Sequence, residues 1–137
     1  MRFIVLLTGT RMFDAPPGLM EGIMKLGEEA TTAGALLDTA GLAPAVAGAR
    51  VELTGGELRL VDGPYAESKE LLSYAVYQVR GKEEAVEWAS RFLRLHQEFV
   101  PGWEGEVQIL KVFGPEDFPP PSEDGDRTTG AVSGSAT

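Results

Sequence analysis

Residues 71–99, LLSYAVYQVRGKEEAVEWASRFLRLHQEF, begin as an apolar run typical of a strand and continue with the residue spacing of an amphipathic helix. Leu71–Val79 is mostly apolar, β-branched or aromatic, which is typical of a strand. After Gly81 the apolar residues recur every three or four positions and predict a helix with one buried face. That face consists of Ala85, Trp88, Ala89, Phe92, Leu95 and Phe99. Pro101-Gly102-Trp103 ends the helix, and Val107–Phe113 predicts a further strand.

The first 42 residues repeat this arrangement. Phe3–Leu7 is an apolar run that predicts a strand, and Pro16-Pro17-Gly18 marks the entry to a helix. The predicted buried stripe of that helix is Leu19, Ile23, Leu26, Ala30 and Ala33. Gly34 is suited to a left-handed cap, and Ala35–Leu42 predicts the next strand.

Two short runs, Arg50–Leu53 and Leu58–Val61, flank Gly55-Gly56 and predict a β-hairpin between the two strand–helix–strand units. The complete order is that of an α+β protein of the ferredoxin-like βαββαβ type with an inserted β-hairpin. Both helices then cover the same face of an antiparallel sheet, and the other face stays open. A small domain of this kind commonly closes its open face with a second subunit, so we expect a homodimer in the form of a dimeric α+β barrel.

The chain of 137 residues has 12 basic and 21 acidic residues, a net charge of −9, and no cysteine. A negative field repels phosphate backbones and anionic lipids, so we expect neither nucleic acid nor a membrane as a partner. The absence of cysteine excludes disulfides, thiolate nucleophiles and cysteine-bound metals within this sequence. It is compatible with a cytoplasmic location, which we expect. The apolar run at the amino terminus is too short to span a bilayer, and no cleavage site follows it.

Composition divides the chain near residue 118. Residues 1–118 hold the periodic segments and predict one domain. Residues 119–137 are rich in Pro, Gly, Ser and Thr, and Val132 is their one large apolar residue. Such a segment cannot bury enough apolar surface to offset the entropy lost on ordering, so we expect a disordered tail.

The densest group of polar residues follows the hairpin directly, in Asp62-Gly63-Pro64-Tyr65-Ala66-Glu67-Ser68-Lys69-Glu70. This segment resembles the signature of the DGPF branch of the YCII-related family, in which Phe usually stands at the position of Tyr65. Gly41-Leu42-Ala43-Pro44, Glu84–Ala89 and Glu106–Phe113 resemble other parts of that family. The likeness therefore extends over nearly all of residues 1–118.

The resemblance implies a ferredoxin-like subunit that dimerises through its sheets, and it implies no defined reaction. YCII-type relatives are thought to use a His–Asp pair whose His lies in the first helix, whereas this chain has no His before His96. That pair is not carried over to this chain. The family also tends to have Glu and Arg in its last strand where this chain has Gln108 and Leu110.

Each candidate site residue has two interpretations. Asp62 either hydrogen-bonds its own backbone amides in a turn or serves as a ligand contact or acid–base group. Lys69 is either a solvated neighbour of a short turn or a point charge that holds an anion. His96, the only imidazole, either packs beside the helix stripe or contacts a ligand. The predicted catalytic residue is Asp62, and the predicted ligand contacts are Tyr65, Glu67, Lys69, Glu70, Tyr74 and His96. No metal site is predicted.

Two functions fit these observations. The first is a small-molecule-binding or accessory protein with its pocket near residues 62–70, and the missing first-helix His favours it. The alternative is an enzyme of the dimeric α+β barrel kind that uses Asp62 as a general acid or base. No phosphate-binding or dinucleotide loop is present in the sequence, so we expect no cofactor. The expected partners are a second copy of the chain and a small-molecule ligand.

Overall fold

The structure, a computed structural model, describes residues 1–12, 14–61 and 69–118. In this part the chain is α+β, with strands β1 (Arg2–Gly9), β2 (Leu36–Gly41), β3 (Arg50–Thr54), β4 (Glu57–Val61), β5 (Glu70–Gln78) and β6 (Gly105–Lys111). The helices are α1 (Pro17–Thr32) and α2 (Lys82–Phe99), and single 3-10 turns lie at Ala45–Ala47 and Pro115–Asp117. The predicted order of strands, helices and hairpin is confirmed. The predicted tail, residues 119–137, lies outside the described residues.

Four strands form an antiparallel sheet in the order β2-β5-β1-β6. The central strand β1 pairs with β5 on one side and with β6 on the other, so that Phe3 lies opposite both Tyr77 and Lys111. Strands β3 and β4 pair with each other in a separate two-stranded sheet. All of the described strand pairs are antiparallel, which is the pattern expected for a sheet with one open face.

The hydrophobic core lies between the helices and one face of the four-stranded sheet. Alternate residues of β1 point to it, because successive side chains of a strand face opposite sides. Phe3, Val5 and Leu7 are buried, whereas the intervening Ile4 and Leu6 are half-buried. Other members of the core are Leu26, Ala30, Ala35, Tyr77, Val79, Ala85, Trp88 and Ala89. Among the described residues no helix covers the opposite sheet face, which we call the open face.

Helices α1 and α2 approach each other closely where α1 has glycine. A Cβ atom at Gly18 would lie 2.7 Å from Cε1 of Phe99, and one at Gly22 would lie 2.9 Å from Cδ2 of Leu95. Glycine destabilises a helix interior by about 1 kcal/mol relative to alanine. This helix is therefore stabilised by its packing against α2, and the glycines make that packing possible.

An ion pair also joins the two helices. Glu87 lies one turn before Arg91 in α2, but both terminal nitrogens of Arg91 donate to Glu29 of α1, at 2.8 and 2.7 Å. The Arg91 guanidinium also lies 5.0 Å from the ring centre of Trp88. The pair with Glu29 forms because the helices pack side by side, and helix spacing alone does not reveal it.

Two local predictions are corrected by the structure. Ala33 was expected in the buried stripe of α1, but it is the exposed C-cap residue because the helix ends at Thr32. The last strand was expected at Val107–Phe113 and is found at Gly105–Lys111. It begins earlier because Gly105 pairs with Gly9 at the end of β1, where small residues face each other. The left-handed cap at Gly34 is confirmed by its φ of 75°.

The hairpin of β3 and β4 turns at Gly55 and Gly56, both with positive φ, as the prediction requires. Its register places four aliphatic residues on one side, with Val51 opposite Leu60 and Leu53 opposite Leu58. We call this side the hairpin face. Its four side chains are 65–73% exposed. The opposite side of the hairpin has the ion pair of Arg59 and Glu52, at 3.2 Å.

Alanine at Gly27 and alanine at Gly22 test the helix contact. Both positions lie inside α1, so both substitutions gain about 1 kcal/mol of helix propensity. A Cβ at Gly27 meets no atom within 4 Å, whereas a Cβ at Gly22 forces Leu95 to move. We expect Gly27→Ala to raise the free energy of unfolding by about 1 kcal/mol and Gly22→Ala to raise it by less or to lower it. Urea unfolding measures both, and equal gains would contradict the close approach.

Candidate functional site

A cavity of about 280 Å³ lies between the helices and the sheet, and we call it the His96 cavity. Its apolar walls come from β1, α1, β2, β5 and α2. Its lining residues are Leu7, Arg11, Met12, Ala15, Leu19, Met20, Ile23, Thr39, Ala40, Gly41, Leu72, Ser73, Phe92 and His96. A smaller hollow of about 60 Å³ shares part of this lining and extends it toward Val5 and Tyr77. Mostly apolar walls with a few polar groups are typical of small-molecule sites.

His96 is a buried member of this lining, with only 3% of its surface exposed. Its Nδ1 lies 3.0 Å from the carbonyl oxygen of Phe92, one turn earlier in α2. A carbonyl accepts hydrogen bonds only, so Nδ1 carries the proton and Nε2 is the free acceptor. Burial lowers the pKa of His96 below its usual value of 6.5, although the bond to Phe92 opposes this shift. The imidazole is therefore neutral near pH 7.

Two aromatic rings hold the imidazole of His96 in place. Phe92 contacts it edge to face, with ring centres 4.9 Å apart, and Trp103 lies tilted against it at 4.8 Å. The indole N–H of Trp103 donates to the carbonyl of Thr10 at 2.8 Å. Gly9 leaves room for the indole, since a Cβ there would lie 2.5 Å from Cζ2 of Trp103. Trp103 therefore fixes its loop to the residues that follow β1.

Arg11 brings a positive charge to the His96 cavity, and Glu70 balances it. Nε of Arg11 donates to Oε2 of Glu70 at 3.3 Å, and Nη2 donates to Oε1 at 3.4 Å. The backbone N–H of Ala45 also donates to Oε1 of Glu70, at 3.2 Å. The hydrogen bonds from Arg11 and Ala45 lower the pKa of Glu70. This carboxylate is therefore ionised at neutral pH and holds the guanidinium beside the cavity.

Two other predicted site residues are not in the lining of the His96 cavity: Tyr74 lines the smaller hollow beside it, and Lys69 lies in a separate groove. Lys69 borders an open groove of about 700 Å³ beside α2 and β6, together with Arg94, Trp103 and Glu106. The hydroxyl of Tyr74 donates to Asp38 at 2.9 Å, and this bond raises the pKa of Tyr74. Both hollows are open to solvent, but the larger groove is lined mainly by polar and charged surface, whereas the His96 cavity has mostly apolar walls.

The structure relates only some of the predicted residues to one another. Asp62, Tyr65 and Glu67 lie outside the described residues. Lys69, Glu70, Tyr74 and His96 are described, and no hydrogen bond or ion pair of residues 1–12, 14–61 and 69–118 joins any two of them. Arg11 connects Glu70 to the His96 cavity.

The sequence reasoning missed Arg11, Thr39 and Ser73 as lining residues of the cavity. Arg11 could have been noticed as the first charged residue after the apolar run Phe3–Leu7. Thr39 and Ser73 give no comparable signal, because isolated hydroxyl residues are common in strands and loops. Thr39 donates to the carbonyl of Tyr74 at 2.8 Å, and Ser73 has no hydrogen-bond partner for its side chain within the described part of the chain.

The described residues show no group of three or more metal-ligating side chains. No helix in the part of the chain that the structure describes is long and apolar enough to cross a membrane. The chain matches no protein-family model, and none of the curated proteins is significantly similar to it. The resemblance to the YCII-related family therefore stays a prediction.

The burial of His96 predicts a specific loss of stability in mild acid. Its pKa is lowered on folding, so the unfolded chain takes up the proton first as the pH falls below about 6.5. The lowered pKa values of Glu29, Glu70 and Glu84 affect stability only below about 4.5. Among the described residues His96 is the group whose shifted pKa acts in this interval, so we expect the Tm to fall between about pH 7 and about pH 5.

Thermal unfolding of the wild type and of His96→Gln measures this effect. The variant loses ring contacts and has a lower Tm throughout, but its Tm changes little over this pH interval. An equally steep decline in both proteins would show that another group is responsible.

Proposed function

We propose that this chain is a small-molecule-binding protein whose ligand occupies the His96 cavity. The observation that carries the proposal is a cavity of about 280 Å³ with mostly apolar walls and a few fixed polar groups. An apolar cavity of about 150 Å³ is enough to bind benzene. The His96 cavity therefore has room for a molecule of one ring and a few further atoms.

The polar groups of the cavity support this function because their positions are already set. Glu70 and the Ala45 amide hold Arg11, and Phe92 holds the His96 ring. Preformed polar groups lower the entropy cost of binding. Glu70, the last residue of the polar segment 62–70, thus takes part in positioning a lining residue of the cavity.

We also propose that the chain is a member of the DGPF branch of the YCII-related family, with a ferredoxin-like fold. The resemblance of residues 62–70 supports the family. The sheet order β2-β5-β1-β6, with both helices on one face, supports the fold. The enzyme alternative, with Asp62 as a general acid or base, concerns a residue outside the described part and gains no support from it.

We expect fragment-sized ligands to bind in the His96 cavity. A fragment screen by ¹H–¹⁵N NMR should shift amide signals of β5 and of both helices. Ser73→Phe fills the cavity from a half-buried strand position and should weaken binding by about tenfold or more, since one lost phenyl-sized contact surface costs 1–3 kcal/mol.

Ser90→Phe is the matched control, because Ser90 borders the open groove instead. Its affinity for the fragments should equal that of the wild type. If Ser90→Phe abolishes binding and Ser73→Phe does not, the ligand site is the groove. If no fragment binds, the proposed function is wrong.

We propose further that two copies associate through the open face and the hairpin face, in a dimeric α+β barrel. Both surfaces are apolar, and Leu110 on the open face is 43% exposed. Large exposed apolar patches on small proteins commonly mark interfaces. The hairpin is close to neutral, because Arg50 and Arg59 oppose Glu52 and Glu57, so the net charge of −9 does not act locally against association.

Light scattering on the purified protein should give about twice the chain mass of 14.7 kDa. Replacing Leu53 and Leu58 together by serine removes about half of the hairpin face. Burying each leucine contributes up to about 1.5–3 kcal/mol, so the dissociation constant of the dimer should rise at least tenfold. The control replaces Glu52 and Arg59 by serine on the opposite side, where little change is expected. A wild-type monomer at high micromolar concentration would overturn the proposal.

A further inference from the structure

We propose that the His96 cavity selects a compact, uncharged, mostly apolar molecule with a hydroxyl or N–H group, which donates a hydrogen bond to Nε2 of His96. This inference rests on the proposed function and names the chemical class of its ligand. It follows from the state of His96, from the charge balance of the cavity and from the cavity's size.

One ring nitrogen of His96 is free to bind a ligand. Nδ1 is used by the carbonyl of Phe92, and Nε2 has no partner among the described residues. No buried side-chain nitrogen or oxygen of residues 1–12, 14–61 and 69–118 lacks a hydrogen-bond partner. Nε2 is therefore an accessible atom on a side chain that is 97% buried, and the space that the ring borders is the cavity. A neutral imidazole nitrogen of this kind accepts a hydrogen bond and has none to donate.

The charges at the cavity wall balance one another. The positive charge of Arg11 is compensated by Glu70, which is itself held by Ala45. His96 is neutral, because burial lowers its pKa. The wall thus presents no net charge to a ligand. Glu70 occupies two nitrogens of Arg11 and compensates its charge, and a carboxylate could not donate to Nε2, so an uncharged ligand with a donor is favoured.

The rest of the cavity surface is mostly apolar. Leu7, Leu19, Ile23 and Phe92 supply apolar contact, and the flexible Met12 and Met20 can adapt to a ring or a branched chain. A ligand that filled this space without a hydrogen-bond donor would leave Nε2 buried and unpaired. A buried acceptor without a partner costs free energy, so the site discriminates in favour of a donor.

Three probes test the proposal on the full-length protein: phenol, toluene and benzoate. Phenol and toluene have nearly the same shape and differ in the hydroxyl donor, whereas benzoate is an anion without a donor. Dissociation constants from NMR titration near neutral pH give the preference for phenol over toluene. Phenol should bind more tightly than benzoate, and the Nε2 resonance of His96 should shift toward that of a protonated nitrogen with phenol only.

Two variants of His96 separate the roles of its nitrogens. The amide of His96→Asn can donate to the Phe92 carbonyl as Nδ1 does, but no acceptor stands at Nε2. The longer His96→Gln places an amide oxygen near the position of Nε2. The preference for phenol over toluene should fall by about tenfold in the Asn variant, which leaves the hydroxyl unpaired, and should persist in the Gln variant.

Toluene separates failure of this inference from failure of the proposed function. Toluene binding with an unchanged phenol preference in His96→Asn, or tighter binding of benzoate than of phenol, would overturn the inference and leave the cavity as a ligand site. Absence of binding by every probe to the wild type would overturn both. If the Asn variant does not fold, the wild type provides the test: an Nε2 shift with phenol only supports the inference, and no shift with phenol overturns it.

Discussion

Strand β1 hydrogen-bonds to β5 along one edge and to β6 along the other, and the remaining elements are arranged around this double pairing. Its alternation places Phe3, Val5 and Leu7 under the helices and leaves Ile4 on the open face. A slip of one residue would exchange these two sets, so burial of one face determines the register. The same register brings Thr10 and Arg11, just after the strand, to the loop around Trp103 and to the mouth of the cavity.

The candidate site combines apolar walls with a few polar groups, and the charges of these groups compensate each other. Arg11 is mostly buried beside Glu70, and His96 is buried in its neutral form. Burying a charge without a partner costs more free energy than burying a neutral acceptor without a partner. Among the groups that can accept a hydrogen bond from a ligand, Nε2 of His96 is a neutral nitrogen that no described residue uses. This arrangement suits an apolar ligand with one donor better than it suits an anion.

The site and the proposed interface use different parts of the molecule. The cavity lies between the helices and the sheet, whereas the open face is the opposite side of that sheet and the hairpin face belongs to a separate two-stranded sheet. Ala45, which precedes β3, donates to Glu70 at the start of β5, so the segment that leads into the hairpin helps to position Arg11.

The sequence by itself determined the secondary structure and the direction of most side chains. The strand composition of residues 71–79 and the period near 3.6 in α1 and α2 are local features, and so are the turn at Gly55-Gly56 and the cap at Gly34. These features depend on neighbours within a few residues. The boundaries were predicted less well, as Ala33 and the start of β6 show, because the ends of helices and strands depend on what they pack against.

Only the tertiary structure decided which distant groups meet. Glu29 rather than Glu87 binds Arg91, Glu70 binds Arg11 across 59 positions of the chain, and Trp103 packs on His96 while it binds Thr10. His96 was identified from the sequence as the only imidazole, but its burial and its free Nε2 could not be. Periodicity specifies which face of a helix or strand is buried. It does not specify the partner on the other side, because that depends on how the helices and strands pack together in three dimensions.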